Sequence, residues 1–166
     1  MRKPIQIRRR GFTLVEVLIV VVILGILAAT VLPQFTAAND DAMEAALMQD
    51  LQVIRSQIEL YKYQHLGKYP ADGSTDQQDF IDAMLLSSDA DGTTGAVGTK
   101  PFGPYFVGQI PPNPYSGARG IKIVSDVAGT APDDSTTLGW VYDPATGQIK
   151  ANSSGQTADG IDLDTL

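Results

Sequence analysis

Cysteine is absent from the 166 residues, and histidine occurs once, as His65. The lack of cysteine excludes disulfide bonds, thiol nucleophiles and zinc sites built on cysteine. A single histidine excludes, within one chain, histidine-pair metal sites and mechanisms that need two histidines. No glycine-rich phosphate-binding motif is present either, so the sequence predicts a protein that is not an enzyme. We expect His65 to be a surface or helix-capping residue.

Positive charge is scarce after the first eleven residues. Five of the twelve basic residues precede Gly11, which leaves seven against nineteen acidic residues in the remainder. An acidic surface is repelled by phosphate groups, so no direct binding to nucleic acid is expected.

A long apolar segment, Phe12–Leu32, follows the basic residues. Its length matches the roughly 20 residues that a helix needs to cross a bilayer. The excess of arginine and lysine before the segment predicts a cytoplasmic N-terminus. We therefore expect a single-pass membrane protein whose C-terminal domain lies on the opposite side of the membrane from its N-terminus. An ordinary cleaved secretory signal is the alternative, but its apolar stretch is normally about 7–15 residues long.

Glu16 is the one ionisable residue inside this apolar segment. A carboxylate costs a few kcal/mol near the centre of a membrane and less near its edge, so such a residue is usually functional and needs a partner. Cleavage after Gly11 would create an α-amino group at Phe12, one helical turn from Glu16. That amine, from the same or a neighbouring subunit, could neutralise the carboxylate. A glutamate that simply reaches the lipid headgroups is the other reading.

The stretch from Arg10-Gly11-Phe12-Thr13-Leu14-Val15-Glu16 to Pro33 resembles type IV prepilins and type II secretion pseudopilins. The resemblance implies cleavage after Gly11 by a membrane aspartic prepilin peptidase, followed by N-methylation of Phe12. It also implies that Glu16 pairs with the Phe12 amine of an adjacent subunit during filament assembly. In this interpretation the chain is a substrate of enzymes.

The amphipathic pattern continues beyond the anchor. Pro33 removes a helical hydrogen bond and predicts a kink there, in one long helix that ends near Gly67. Its second half has an apolar stripe that predicts packing against a sheet: Met43, Leu47, Leu51, Ile54, Ile58 and Tyr61. The predicted regions are thus a cleaved basic leader (1–11), a transmembrane and filament-core helix (12–32), the amphipathic half of the helix (33–66) and a globular domain (67–166).

The globular region predicts loops followed by strands. Thr75 or Asp76 can cap a short helix that runs to about Ser87, and Asp89–Lys100 is an expected exposed loop. A proline-rich connector over Pro101–Pro114 can be pinned to the core by Phe102, Tyr105 and Phe106. Three short strands are expected at Gly120–Ser125, Gly139–Asp143 and Gly147–Ala151. The predicted fold class is α+β, with the long helix packed on a small antiparallel C-terminal sheet, as in pilins.

Looser similarities to secretion-type pseudopilin domains occur around Gly67-Lys68-Tyr69-Pro70 and Gly139-Trp140-Val141-Tyr142-Asp143. Together with the absence of cysteine, they favour the pseudopilus of a type II secretion system over a surface pilus for adhesion, motility or DNA uptake. A membrane-tethered enzyme or binding module is a third class. The resemblance implies partners: copies of this chain, minor pseudopilins, an inner-membrane assembly platform and the prepilin peptidase and methyltransferase.

Calcium is a candidate ligand, because major pseudopilins often bind it in a C-terminal loop. The acidic tail offers three carboxylates: Asp159, Asp162 and Asp164. Asp133 and Asp134 lie in the loop before them. Their spacing does not match an EF-hand, and a solvated acidic tail without any cofactor is the favoured alternative.

Overall fold

The structure is a computed structural model that describes residues 11–157 and 159–166, without the side chains of Leu32, Pro33 and Ala37. Apart from Gly11, the predicted leader lies outside the described residues. The chain divides into two units, one up to Asn39 and one from Asp40 to Leu166. The elements are α1 (Leu14–Gln64), α2 (Gln77–Leu85), β1 (Ser87–Ser88), β2 (Thr94–Gly95), β3 (Gly120–Ile123), β4 (Leu138–Tyr142), β5 (Ile149–Ala151) and a 3-10 turn (Leu163–Thr165).

The part of α1 in the second unit buries the predicted stripe. Five of its six members are almost fully buried, and Met43 is half-buried: Leu47, Leu51, Ile54, Ile58 and Tyr61. They belong to one hydrophobic cluster with Phe80 and Met84 of α2 and Trp140 and Tyr142 of β4. The periodicity of the sequence therefore identified the core-facing side of this helix correctly.

The end of α1 is a tight cap. The Gly67 N–H donates to the Lys62 carbonyl at 3.0 Å, the long-range bond of a Schellman motif. Leu66 and Gly67 both have positive φ, 58° and 84°. The helix therefore ends beside the predicted glycine, with leucine in the strained left-handed position before it.

α2 begins as the sequence predicts. The Asp76 carboxylate accepts a hydrogen bond from the Gln78 N–H at 2.9 Å, so Asp76 is the N-cap. Phe80 and Met84 are fully buried beneath the helix.

The C-terminal sheet has the order β3-β4-β5. The β4–β5 pair is the predicted antiparallel hairpin around Asp143–Gly147, and the architecture confirms the α+β class. β3 instead runs parallel to β4, although all three strands were expected to be antiparallel. The reason is the long connection over residues 124–137, because a parallel pair needs a crossover of about a dozen residues or more.

Two surface expectations differ from the structure. His65 is fully buried: its Nδ1 lies 2.7 Å from the Tyr61 carbonyl and its Nε2 lies 2.9 Å from the Ser88 hydroxyl. The expectation of a surface position is therefore wrong, whereas the contact of Nδ1 with the Tyr61 carbonyl, in the last turn of α1, fits the helix-capping alternative. The expected loop at Asp89–Lys100 contains β2, which pairs with β1 in a short antiparallel ribbon.

Candidate functional site

The helix of the first unit begins immediately after the predicted cleavage point. Gly11, Phe12 and Thr13 are not helical, and α1 starts at Leu14. Phe12 is 87% exposed. No heavy atom of the described residues lies within 4 Å of the position that a Cβ at Gly11 would take. Contacts with the described residues therefore leave room for a larger side chain at this position.

Glu16 and Thr13 form a capping box at the start of α1. The Glu16 Oε2 atom accepts hydrogen bonds from the Thr13 N–H at 2.8 Å and from the Thr13 Oγ1 at 3.0 Å. In return, the Glu16 N–H donates to the Thr13 Oγ1 at 3.2 Å. The Thr-x-x-Glu spacing is the sequence signal of this motif, and it is a signal that charge alone does not reveal.

The Glu16 carboxylate thus has a partner within its own chain. Its predicted pairing with a Phe12 amine stays a prediction, since that amine exists only after cleavage. The capping box fixes the carboxylate in the first turn of the helix, close to Phe12.

The apolar segment of α1 has no packed face within the first unit. Each large apolar side chain from Phe12 to Leu27 is exposed over at least half of its area. Among the described residues, α1 is the one helix that is long and apolar enough to cross a membrane. A helix that is apolar all round is either buried or spans a bilayer, so this segment needs an environment that its own chain does not supply.

Polar groups within this segment are satisfied locally. The Thr30 hydroxyl donates to the Leu27 carbonyl at 3.0 Å, the kind of bond by which a threonine avoids an unpaired donor in lipid. Position 33 lies inside α1, but the Pro33 side chain is outside the described residues. The kink at Pro33 stays a prediction.

The prokaryotic N-terminal methylation motif matches residues 7–32 of the chain. This match covers the N-terminal segment alone. The matched range contains Gly11, Phe12 and Glu16, the three residues that were singled out for cleavage, methylation and assembly. The residues matched by the motif therefore include the exposed apolar part of α1.

Three curated relatives of the chain share one name. The chain is 41% identical over 64 residues to the type II secretion system core protein G of Pseudomonas aeruginosa, 39% of this chain and 44% of that protein. It is 38% identical over 63 residues to the protein of the same name from Dickeya chrysanthemi, 38% of this chain and 40% of that protein. It is 37% identical over 70 residues to the protein of the same name from Vibrio cholerae, 42% of this chain and 45% of that protein. The matches thus span less than half of each relative, and no solved structure matches the chain significantly.

The structure separates the three tail carboxylates proposed for calcium. Asp164 is paired with Lys150 at 2.8 Å, and Asp162 accepts from the Gln156 amide at 3.0 Å. Asp159 is exposed. Within residues 11–157 and 159–166, no group of three or more histidine, cysteine or acidic side chains is placed to hold a metal ion. Calcium binding by this tail stays a prediction.

Proposed function

We propose that the chain is a structural subunit of a type IV pilus-like filament, most closely the pseudopilus of a type II secretion system. The observation that carries this proposal is the part of α1 that lies in the first unit. This part of the helix starts at a prepilin-type motif and exposes apolar side chains on all sides. Such a helix is stable in lipid and equally stable against copies of itself, because both surroundings are apolar. It serves first as a membrane anchor and then as a filament core.

Processing is the first step. A prepilin peptidase cleaves after Gly11, which removes all five cations of the leader, and a methyltransferase modifies the new Phe12 amine. The non-helical stretch from Gly11 to Thr13 supports cleavage at this point, because the bond after Gly11 lies outside the hydrogen-bonded backbone of α1. The open space around Gly11 among the described residues also supports a role for this glycine in recognition by another protein.

Membrane topology follows from charge. The basic leader stays in the cytoplasm, and the acidic second unit lies on the periplasmic side of the inner membrane. In this orientation the leader lies on the cytoplasmic side, where positively charged segments next to a membrane span are retained.

Assembly then transfers the helices from lipid into a bundle. Glu16 would enter apolar surroundings, and an unpaired carboxylate there costs several kcal/mol. The Phe12 amine of an adjacent copy can supply the missing charge, which fixes the axial register of neighbouring helices. Thr13 keeps Glu16 hydrogen-bonded until that partner arrives.

The secretion role is favoured over a surface pilus because the matched relatives are named as type II secretion core proteins. The proposed partners are copies of this chain, minor pseudopilins and an inner-membrane assembly platform. We assign no catalytic role to the chain.

The deciding experiment is the mass of the N-terminal peptide of the protein isolated from its host membranes. We expect a peptide that begins at N-methylated Phe12. Gly11→Val should leave the leader attached, whereas the matched Gly25→Val change, within α1, should be processed normally. A peptide that begins near Asn39 would indicate an ordinary secretory signal, and normal processing of Gly11→Val would refute the assigned site.

A further inference from the structure

The outer face of the C-terminal sheet carries two lysines in one row. Lys122 of β3 and Lys150 of β5 both lie opposite Val141 of β4 in the strand register. Because side chains alternate between the faces of a strand, this row points away from the face that carries Trp140 and Tyr142. Val141 is fully buried but does not belong to the main hydrophobic cluster. The outer face of the sheet is therefore covered.

Each lysine binds an aspartate from a different covering segment. Lys122 Nζ lies 2.7 Å from Asp133 Oδ2 in the crossover connection, residues 124–137. Lys150 Nζ lies 2.8 Å from Asp164 Oδ2 in the acidic tail, and these side chains are only 8% and 22% exposed. Val127 of the crossover is also buried. Each of the two segments thus holds a carboxylate against the lysine at one end of the row.

Further hydrogen bonds orient the crossover carboxylate. Asp133 Oδ1 accepts from the Asn152 side-chain amide at 2.6 Å, and the Asp133 N–H donates to Asn152 Oδ1 at 3.1 Å. Asn152 is fully buried. The Lys122 ammonium, followed by the Asn152 amide, lowers the pKa of Asp133 below its ordinary value of 3.8.

The tail is also attached to α1. Arg55 donates to the Leu166 carbonyl at 2.9 Å and to the Ile149 carbonyl at 3.0 Å. Leu163, beside Asp164, is buried in the hydrophobic core. Apolar contacts and a cation therefore hold the same short segment.

These contacts do not fit a divalent cation in the tail. Calcium takes six to eight oxygen ligands at about 2.3–2.6 Å. The aspartates here accept hydrogen bonds from amines, amides, a hydroxyl or a backbone N–H: Asp133, Asp134, Asp162 and Asp164. A lysine ammonium in contact with a carboxylate also repels a second cation from it.

We propose that the Lys122–Val141–Lys150 row closes the C-terminal domain, with the two lysine side chains in the role that a calcium ion would otherwise fill. Each ammonium neutralises one acidic segment and fixes it over Val141. Removing Lys150 should cost more than removing Lys122, because Asp164 is more deeply buried than Asp133 and would be left unpaired. Losing this closure would leave cleavage after Gly11 unchanged, so it can fail independently of the filament role.

The experiment is thermal unfolding of the full-length chain in detergent, followed by circular dichroism with calcium and with a chelator. For the unaltered protein we expect calcium and chelator to shift Tm by less than about 1 °C. Lys150→Met should lower Tm by roughly 5–10 °C, because it leaves a largely buried carboxylate unpaired. Lys122→Met should have a smaller effect, and Lys68→Met, at an exposed lysine, serves as the matched control.

Two further variants separate charge from packing. Lys150→Arg should keep most of the stability, and Lys150→Met combined with Asp164→Leu should regain at least half of the loss, because no unpaired charge remains. If Lys150→Met does not fold, Asp164→Asn tests the same pair. A chelator that lowers Tm of the unaltered protein by several degrees, or a Lys150→Met variant that matches the Lys68→Met control, would overturn the proposal.

Discussion

The two parts of α1 share one backbone conformation and have opposite surroundings. Leu18, in the first unit, is 57% exposed, whereas Leu51, in the second, is 1% exposed. The second unit satisfies its apolar face with its own sheet and α2. The first unit leaves its apolar surface open, and Thr13, Glu16 and Thr30 make local hydrogen bonds within it. A single helix thus combines a segment that folds with its own chain and one that requires other molecules.

The most direct test of this contrast is to make the same leucine-to-alanine substitution in both parts of α1. Leu51→Ala should destabilise the folded domain by about 2–5 kcal/mol, because it leaves a cavity in a packed core. Leu18→Ala should change the domain's free energy of unfolding by less than about 0.5 kcal/mol. Denaturant unfolding of the two full-length variants in detergent gives both values. Equal losses would mean that the first part of the helix is packed within its own chain.

Glu16→Ala tests whether the first part of the helix depends on a neighbouring copy. We expect normal cleavage and unchanged domain stability, but at least about ten-fold fewer filaments, because the Phe12 amine loses its carboxylate partner in apolar surroundings. Sedimented filaments from cells that also express the assembly proteins provide the measurement. Glu59→Ala, at an exposed glutamate in the second part of α1, is the control. Normal filament yield from Glu16→Ala would contradict a role in register.

A smaller effect should appear at acidic pH, in the second unit alone. Hydrogen bonds from Lys122 and Asn152 lower the pKa of Asp133, which also faces the carboxylate of Asp134. Hydrogen bonds from Ser154 lower the pKa of Asp134. A carboxyl group with a lowered pKa stabilises the fold above its ordinary value of 3.8, and this contribution is lost as the pH falls through the lower folded pKa. Tm should therefore be insensitive to these groups above about pH 5 and fall below about pH 4.

Asp133→Asn is the matched variant for this pH dependence. It should lower Tm near neutral pH and make the acid decrease shallower than in the unaltered protein. Asp41→Asn, on the exposed surface of α1, should leave the profile unchanged. An identical acid profile for Asp133→Asn would show that this carboxyl group does not contribute.

Local pattern predicted the parts of the structure that depend on nearby residues. The stripe that includes Leu47 and Ile54 follows from helical periodicity alone, and the Asp76 cap follows from residue type at a helix start. The apolar anchor is evident from length and composition. The N-terminal methylation motif likewise lies within one short stretch of sequence.

Long-range contacts explain what the sequence did not reveal. His65 is buried because Ser88, 23 residues away, reaches its Nε2 and because its ring stacks on Tyr61 at 3.7 Å between centroids. A lone histidine at a helix end has no periodic signal that could indicate this. The direction of β3 depends on the path of the crossover, and the partners of Asp133 and Asp164 depend on the register of three strands. Neither is visible in local composition.

The row of Lys122, Val141 and Lys150 has a kinetic consequence. When the last contacts of a domain come from a second species, the final step of folding is bimolecular and slows as that species is diluted. Here the closing cations are covalently part of the strands that they secure. Completion of the fold is therefore a first-order process, whose half-time is the same at every concentration of subunit and in every ionic composition that leaves the two pairs intact.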